Sequence, residues 1–397
     1  MKILTFTSLY PNALQPRHGL FVEQRLQHLL SAHPDLSAQV VAPVPWFPIK
    51  CDRFGLYGRY AQIASEEMLN GVPVVHPRFA VLPKIGWPMH ARSMALGCRA
   101  ALRDIRAKGF DFDVIDAHFF YPDGVAAVWL AREFKCPVFI TARGSDVSLM
   151  LNFAASRRQI LWAAQHCTGI ITVCQALKDA LVEVGVDPSH IQTLRNGVDL
   201  QRFCPLPREA ARASLGVRGR VLLSVGNLFD LKGNHLTIEA LAQLPDTSLV
   251  LVGEGSEEPR LRRLAREFGV ENRVRFEGAV AHAELARYFC AADALVLASS
   301  REGWANVLLE SMACGTPVIA TAVWGTPEVV RQAAAGVLVD ERSAAGIVAA
   351  CERLFAHLPS REATRLYAES FNWDDTSDGQ YRLFRQAVSA RAPTQVV

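Results

Sequence analysis

Several absences narrow the class of this chain before any motif is read. No uninterrupted apolar run approaches the roughly 18 residues a membrane-spanning helix needs, so none is expected. The opening stretch Met1-Lys2-Ile3-Leu4-Thr5-Phe6-Thr7-Ser8 is too short and too polar for a signal peptide. The nine cysteines are scattered, without a C-x-x-C pair. An odd count lacking metal-ligand spacing fits free thiols in a reducing compartment, and the expectation is a cytoplasmic protein. No His/Cys/Asp/Glu pattern predicts a bound metal. A net charge of +3 over 397 residues leaves no footprint for nucleic acid. A complete G-x-G-x-x-G after a strand is also missing, which argues against a dehydrogenase.

What is present is a globular composition, half hydrophobic and one-fifth charged, in a chain long enough for two cores. Short apolar runs alternate with amphipathic stretches. Strands are expected at Lys2–Thr7, Gln39–Pro43, Asp113–His118, Pro137–Thr141 and Gly169–Val173. Five more are expected at Arg220–Gly226, Ser248–Gly253, Arg273–Glu277, Asp293–Ala298 and Pro317–Thr321. Their Val, Ile and Leu content without polar alternation marks parallel strands buried on both faces. Helices are expected at Gly19–Ala32, Pro122–Phe134, His235–Leu244, Leu261–Phe268 and Ala305–Ala313. This alternation predicts two doubly wound α/β units. The break falls near Arg195-Asn196-Gly197-Val198-Asp199, before Pro205 and Pro207.

The most informative stretch runs from Glu302 to Ala320. Glu302 and Gly303 lie in a strand-to-helix loop. Asn306 and Glu310 are four apart on one face of the following helix, which Gly315 ends. A helix N-terminus offers free N–H groups to phosphate, and a carboxylate one turn in can accept from a ribose diol. By spacing alone, two glutamates eight apart fit a capped amphipathic helix with solvated carboxylates better than a binding site. The residues around them add more. The stretch resembles the E-x7-E motif of the GT-B glycosyltransferases, specifically the retaining family 4 (glycosyl transferases group 1), with Ala305 where that family often has proline.

Further segments carry the same resemblance. Leu222–Gly233 is similar to the family's V-G-R-L-x-x-x-K-G element. Lys232 matches its lysine, while Asn227 replaces the arginine of the diphosphate clamp and removes a positive charge. Gly253-Glu254-Gly255 resembles the G-x-G near the nucleotide, and Glu277–Val280 the loop that meets the base through its backbone. In the first half, Gly19 matches a glycine-rich turn and His118 a histidine at a strand end. Thr141–Val147 resembles T-x-H-G-x-D, with Gly144 and Asp146 matching and Arg143 in place of histidine. Arg143 is accordingly a candidate to restore the charge that Asn227 lacks.

The resemblance implies an α/β GT-B fold of two Rossmann-like domains facing a cleft. An acceptor domain is expected at 1–197, a nucleotide-sugar domain at 198–371, and a helix at 372–397 packing back on the first. It implies a retaining hexosyltransferase without metal or other cofactor, acting from a UDP- or GDP-linked donor on a glycan or lipid-linked glycan in cell-surface or exopolysaccharide synthesis. Glu302, Lys232, Arg143 and Asp146 are the expected catalytic residues. Gly19, Gly226, Asn227, Lys232, Gly253, Gly255, Val280, Glu302, Gly303, Asn306, Val307 and Glu310 are expected at the donor, and His118 at the acceptor. A nucleotide-sugar epimerase, a phosphorylase and a non-catalytic binding module share the architecture and stay open. Segment 43–87 mixes aromatics (Trp46, Phe47, Phe54, Tyr57, Tyr60, Phe79, Trp87) with Lys50, Arg53, Arg59, Arg78 and Lys84. It reads either as a loop packing its own rings or as a contact with the inner membrane face.

Overall fold

The computed structural model describes residues 1–81 and 86–391, with the side chain of Asp52 also left aside; Lys84 and the last six residues of the expected terminal helix fall outside it. The chain divides into two compact units, Met1–Arg195 with Asp374–Val397, and Asn196–Trp373.

In the first unit the strands are β1 (Lys2–Phe6), β2 (Ser37–Val41), β3 (Val44–Pro45), β4 (Glu66–Leu69), β5 (Val72–Val75), β6 (Arg78–Phe79), β7 (Val114–His118), β8 (Val138–Ala142), β9 (Gly169–Thr172) and β10 (Ile191–Thr193). Eight of them form one sheet in the order β10-β9-β8-β7-β1-β2-β5-β4, and β3 pairs with β6 separately. All pairings in the large sheet are parallel except β4 with β5. Every residue of β7, β8 and β9 is buried, as strands covered by helices on both faces require. The terminal helix Asp374–Arg391 belongs to this unit. Its Phe384 joins Ile3, Leu29, Val114, Phe139 and Ile171 in the core and meets the Phe139 ring at 5.1 Å.

The second unit has β11 (Arg220–Val225), β12 (Thr247–Val252), β13 (Val274–Gly278), β14 (Ala294–Leu297), β15 (Val318–Thr321) and β16 (Gly336–Val339). They form an all-parallel sheet in the order β13-β12-β11-β14-β15-β16. Leu222, Leu249, Leu251 and Val296 from the strands pack with Ile238, Leu241, Ile347 and Leu354 from the helices.

All ten expected strands form, their ends shifted by no more than about two residues, the usual uncertainty of such boundaries. The β4–β5 hairpin was not expected. Asn70 (φ 46°) and Gly71 (φ 79°) make a two-residue turn with both φ positive, so the Asn-Gly pair was the overlooked signal. β16 was hidden because Gly336-Val337-Leu338-Val339 follows an alanine run without turn punctuation.

Among its parallel strands, each sheet has one point where strand order reverses. In the first it lies between β1 and β7, in the second between β11 and β14. Loops leaving the carboxyl ends of such strands diverge and open a crevice where ligands bind in open α/β sheets.

Candidate functional site

At the reversal point of the second sheet, the loops after β11 and β14 are joined by an ion pair. Lys232 Nζ donates to Glu302 Oε1 at 2.6 Å, and Ser299 Oγ donates to the same oxygen at 2.7 Å. Backbone holds both loops in place, since Ser300 N donates to Leu231 O at 2.8 Å. The lysine is 24% exposed and the glutamate 12%, so the pair borders solvent without being dispersed in it. Ser299 escaped the sequence reading because a serine at a strand end carries no distinctive signal. Asn227, in the same loop as Lys232, is exposed.

Gly253 and Gly255 explain the G-x-G. A Cβ on Gly253, whose φ is 136°, would stand 1.9 Å from Gly226 O. One on Gly255 would stand 2.2 Å from Leu228 O. Without side chains the loop after β12 closes onto the loop after β11, with Gly226 N donating to Val252 O and Leu228 N to Glu254 O, both at 2.9 Å. The motif therefore shapes the β11 loop, which is a role separate from any direct ligand contact.

The helix bearing the second glutamate spans Asn306–Ala313, with Gly303 in the loop before it and Val307 partly exposed in its first turn. Thr316 N donates to Ser311 O and Gly315 N to Met312 O, so the glycine terminates the helix as expected. Asn306 Oδ1 accepts from Asn196 Nδ2 at 3.2 Å, and the buried Trp304 donates to Asn196 O at 3.0 Å. Asn196, read from the sequence as linker punctuation, is 4% exposed and anchors this loop. Glu310 Oε1 lies 3.2 Å from His282 Nε2, whose other ring nitrogen is 3.3 Å from Arg202 NH1. His282 follows the Gly278–Ala281 loop, where Val280 is partly exposed.

The first unit gathers a different set of groups. Gly19 (φ 70°) precedes the helix Leu20–Ala32, and a Cβ there would meet Leu9 O at 2.2 Å, so only glycine fits. Ser8 N, just past β1, donates to Asp123 Oδ1 beyond β7, tying the two loops at the reversal point. Burial pushes the Asp123 carboxyl up to about 7.

His118, Arg143 and Asp146 depart from their expected roles. His118 is 1% exposed, with Nε2 3.1 Å from Asp116 Oδ2 and Nδ1 2.6 Å from Arg143 NH2. A guanidinium only donates, so Nδ1 accepts and Nε2 carries the proton toward Asp116. Burial drives the His118 pKa down to about 4 against the pull of Asp116, which keeps the ring neutral. Both ring nitrogens are thus engaged inside the unit, and His118 presents neither to an acceptor. Asp146 is fully buried and receives Phe120 N and Gly144 N at 2.7 Å and Arg143 N at 3.0 Å. Its oxygens organise backbone, so it is a positioning residue in place of the expected catalytic one. The Arg143 guanidinium is turned inward against His118, beside Asp116 and Asp146, and burial lowers its pKa well below the arginine norm.

Two members of this network had no sequence signal. Arg25 Nε donates to Gln380 Oε1 at 2.8 Å, and Gln380 Nε2 to Asp116 Oδ2 at 2.8 Å. They lie 355 positions apart, and only folding brings them together.

In segment 43–87 both sequence readings find residues. Phe47 packs with Phe54 and Tyr57 at ring distances of 5.5 and 5.8 Å, and Arg78 turns inward to donate to Ile63 O. Trp46, Ile49, Phe54 and Leu56 are nonetheless exposed, as are Lys50, Arg53 and Arg59. Among the described residues no helix is long and apolar enough to cross a membrane, and no three His, Cys, Asp or Glu side chains are grouped as metal ligands.

Comparison with known proteins decides the family. Residues 207–371 match the glycosyl transferases group 1 family, and residues 57–202 match glycosyltransferase family 4. D-inositol 3-phosphate glycosyltransferase of Mycobacterium tuberculosis is 31% identical over 343 residues, covering 79% of this chain and 70% of the relative. The chain belongs to the glycosyl transferases group 1 family. Sucrose-phosphate synthase from Thermosynechococcus elongatus superposes with a TM-score of 0.80 at 21% identity, over 98% of this chain and 99% of that one. Anabaena HepE, solved with UDP, superposes at 0.73 with 21% identity, over 97% and 100% of the two chains. The fold is GT-B, and the family resemblance read from the E-x7-E segment is correct. As a group 1 glycosyltransferase, the protein carries Glu302 in the loop after β14 and Glu310 on the helix that follows it.

Proposed function

We propose that this glycosyltransferase moves a hexose from a UDP- or GDP-linked donor to a glycan or lipid-linked glycan acceptor, with retention of anomeric configuration and without a metal. The observation that carries this reading is the Lys232–Glu302 pair at the reversal point of the second sheet, in the loops that precede the Asn306 helix. HepE, a structural neighbour, has been solved with UDP and with UDP-glucose, and another neighbour, WaaG, takes part in lipopolysaccharide biosynthesis.

In the proposed reaction the donor C1–O bond breaks and the acceptor oxygen bonds C1 on the same face. The departing phosphate oxygen takes the acceptor proton. Lys232 neutralises the leaving diphosphate, Glu302 positions the sugar, and Glu310 receives the ribose hydroxyls. The second unit serves the donor and the first the acceptor. The exposed Trp46, Phe54 and Leu56 with their basic neighbours support docking on the inner membrane face when the acceptor is lipid-linked.

Thermal-shift screening of nucleotide sugars identifies the donor, and NMR of the product reads its anomeric configuration. Inversion, or turnover abolished by EDTA, overturns the corresponding part of the reading. A binding module is the second reading, favoured by the uncharged Asn227. It predicts donor binding without transfer to any acceptor in the wild-type protein.

A further inference from the structure

We propose that His282 is a positioning residue of the nucleotide site, holding the Glu310 carboxylate in the orientation that receives the ribose diol. This rests on the reading of Glu310 given above and adds a residue that the family motifs do not point to.

The imidazole lies between a cation and an anion. Arg202 NH1 is 3.3 Å from Nδ1, and Glu310 Oε1 is 3.2 Å from Nε2. Because arginine can only donate, Nδ1 is the acceptor, and the neutral ring carries its proton on Nε2, aimed at the glutamate. The ring plane is set independently. Phe203, 1% exposed, meets His282 edge-on at 5.1 Å and packs in turn on the buried Phe289 at 5.9 Å. Glu310 reaches this donor from a helix whose end is tightly capped, with 12% of its side chain exposed.

A glutamate side chain has three torsions and loses rotamer freedom when it grips a ligand. Fixing one carboxylate oxygen before the ligand arrives removes part of that cost and sets where the other oxygen points. His282 also starts the helical turn His282–Glu284 immediately after the Gly278–Ala281 loop. One residue therefore couples the loop expected to meet the base with the carboxylate expected to meet the ribose. The function of such a coupling is selectivity for a ribonucleotide over its 2′-deoxy counterpart.

The test uses the full chain and calorimetric titration. UDP, GDP and ADP are titrated first, and the tightest is compared with its 2′-deoxy form in wild type, His282→Ala, His282→Gln and Glu310→Ala. The wild type prefers the ribonucleotide, and Glu310→Ala abolishes that preference. His282→Ala weakens binding about tenfold, the worth of one charge-assisted hydrogen bond, and loses most of the preference. His282→Gln, whose amide can donate to the same oxygen, restores both. In turnover assays His282→Ala raises the donor KM and leaves kcat near wild type. If Glu310→Ala keeps the preference, or if no nucleotide binds, the ribose reading falls and this inference with it. If Glu310→Ala loses it while His282→Ala keeps both affinity and preference, His282 is overturned alone. Should His282→Ala fail to fold, His282→Asn makes the same comparison, since its shorter amide cannot bridge Arg202 and Glu310.

Discussion

Lys232 Nζ and Glu302 Oε1 stand 2.6 Å apart, joining two loops that leave neighbouring strands at the reversal point of the second sheet. The pair balances its own charge before any donor arrives. In the proposed reaction a bound diphosphate competes with Glu302 for the lysine, and the glutamate turns toward the sugar. Lys232→Ala is expected to lower turnover about 10²- to 10³-fold, the scale of losing one preorganised charge at a leaving group. With Glu302→Gln it forms a double-mutant cycle, and steady-state kinetics should give a coupling of about 1 kcal/mol or more. Additive effects would show that the pair does not act as a unit.

Gly253→Ala tests the seam between the β11 and β12 loops. Its Cβ would stand 1.9 Å from Gly226 O at a φ of 136°, and backbone cannot give way cheaply. Urea unfolding is expected to report a loss of about 2–4 kcal/mol. Gly269→Ala is the control. Its φ is 65°, but nothing lies within 4 Å of the new Cβ, so about 1 kcal/mol of backbone strain is all it should cost.

The buried Asp123 predicts a pH dependence with a definite sign. Its pKa is raised from 3.8 to about 7, so across that window the native state keeps a proton that the unfolded chain has lost. Its contribution is present below the lower value and is lost as pH rises through the upper one. Relative to Asp123→Asn, the wild type should lose up to about 1.4 kcal/mol per pH unit across that window. His118 acts oppositely. Its pKa falls from 6.5 to about 4, so its contribution is present above the first value and lost as pH drops through the second. Asp123→Asn removes the opposing slope, and its stability should rise with pH between those values. Equal wild-type and variant profiles in urea unfolding would refute the assignment.

Arg143→Ala is expected to lower stability in urea unfolding by about 1–3 kcal/mol, because it leaves the buried His118 Nδ1 without its donor. Unchanged stability in Arg143→Ala would show that this buried contact contributes nothing to the fold.

Liposome flotation tests the exposed aromatic and basic face of segment 43–87. Wild type should float with anionic vesicles at low salt and be released by high salt. Replacing Trp46, Phe54 and Leu56 with serine should leave it at the bottom of the gradient with the fold intact by circular dichroism.

The sequence by itself determined the family and the strand–helix alternation, because both are written in neighbouring residues. The β11, β12 and β14 runs are apolar throughout, and the E-x7-E segment spans one loop and one helix. Close backbone approach also left a local trace, as glycines at 19, 253 and 255. Tertiary structure alone decided which groups work together. His118 and Asp146 kept their family positions, yet burial turned one into a neutral internal bridge and the other into a backbone anchor. Arg25 and Gln380 complete the Asp116 network from opposite ends of the chain. Asn196 and His282 meet the E-x7-E helix from outside its motif. Patterns in sequence report what a residue does to its neighbours along the chain, whereas hydrogen bonding and burial depend on distances that exist only once the sheets have formed.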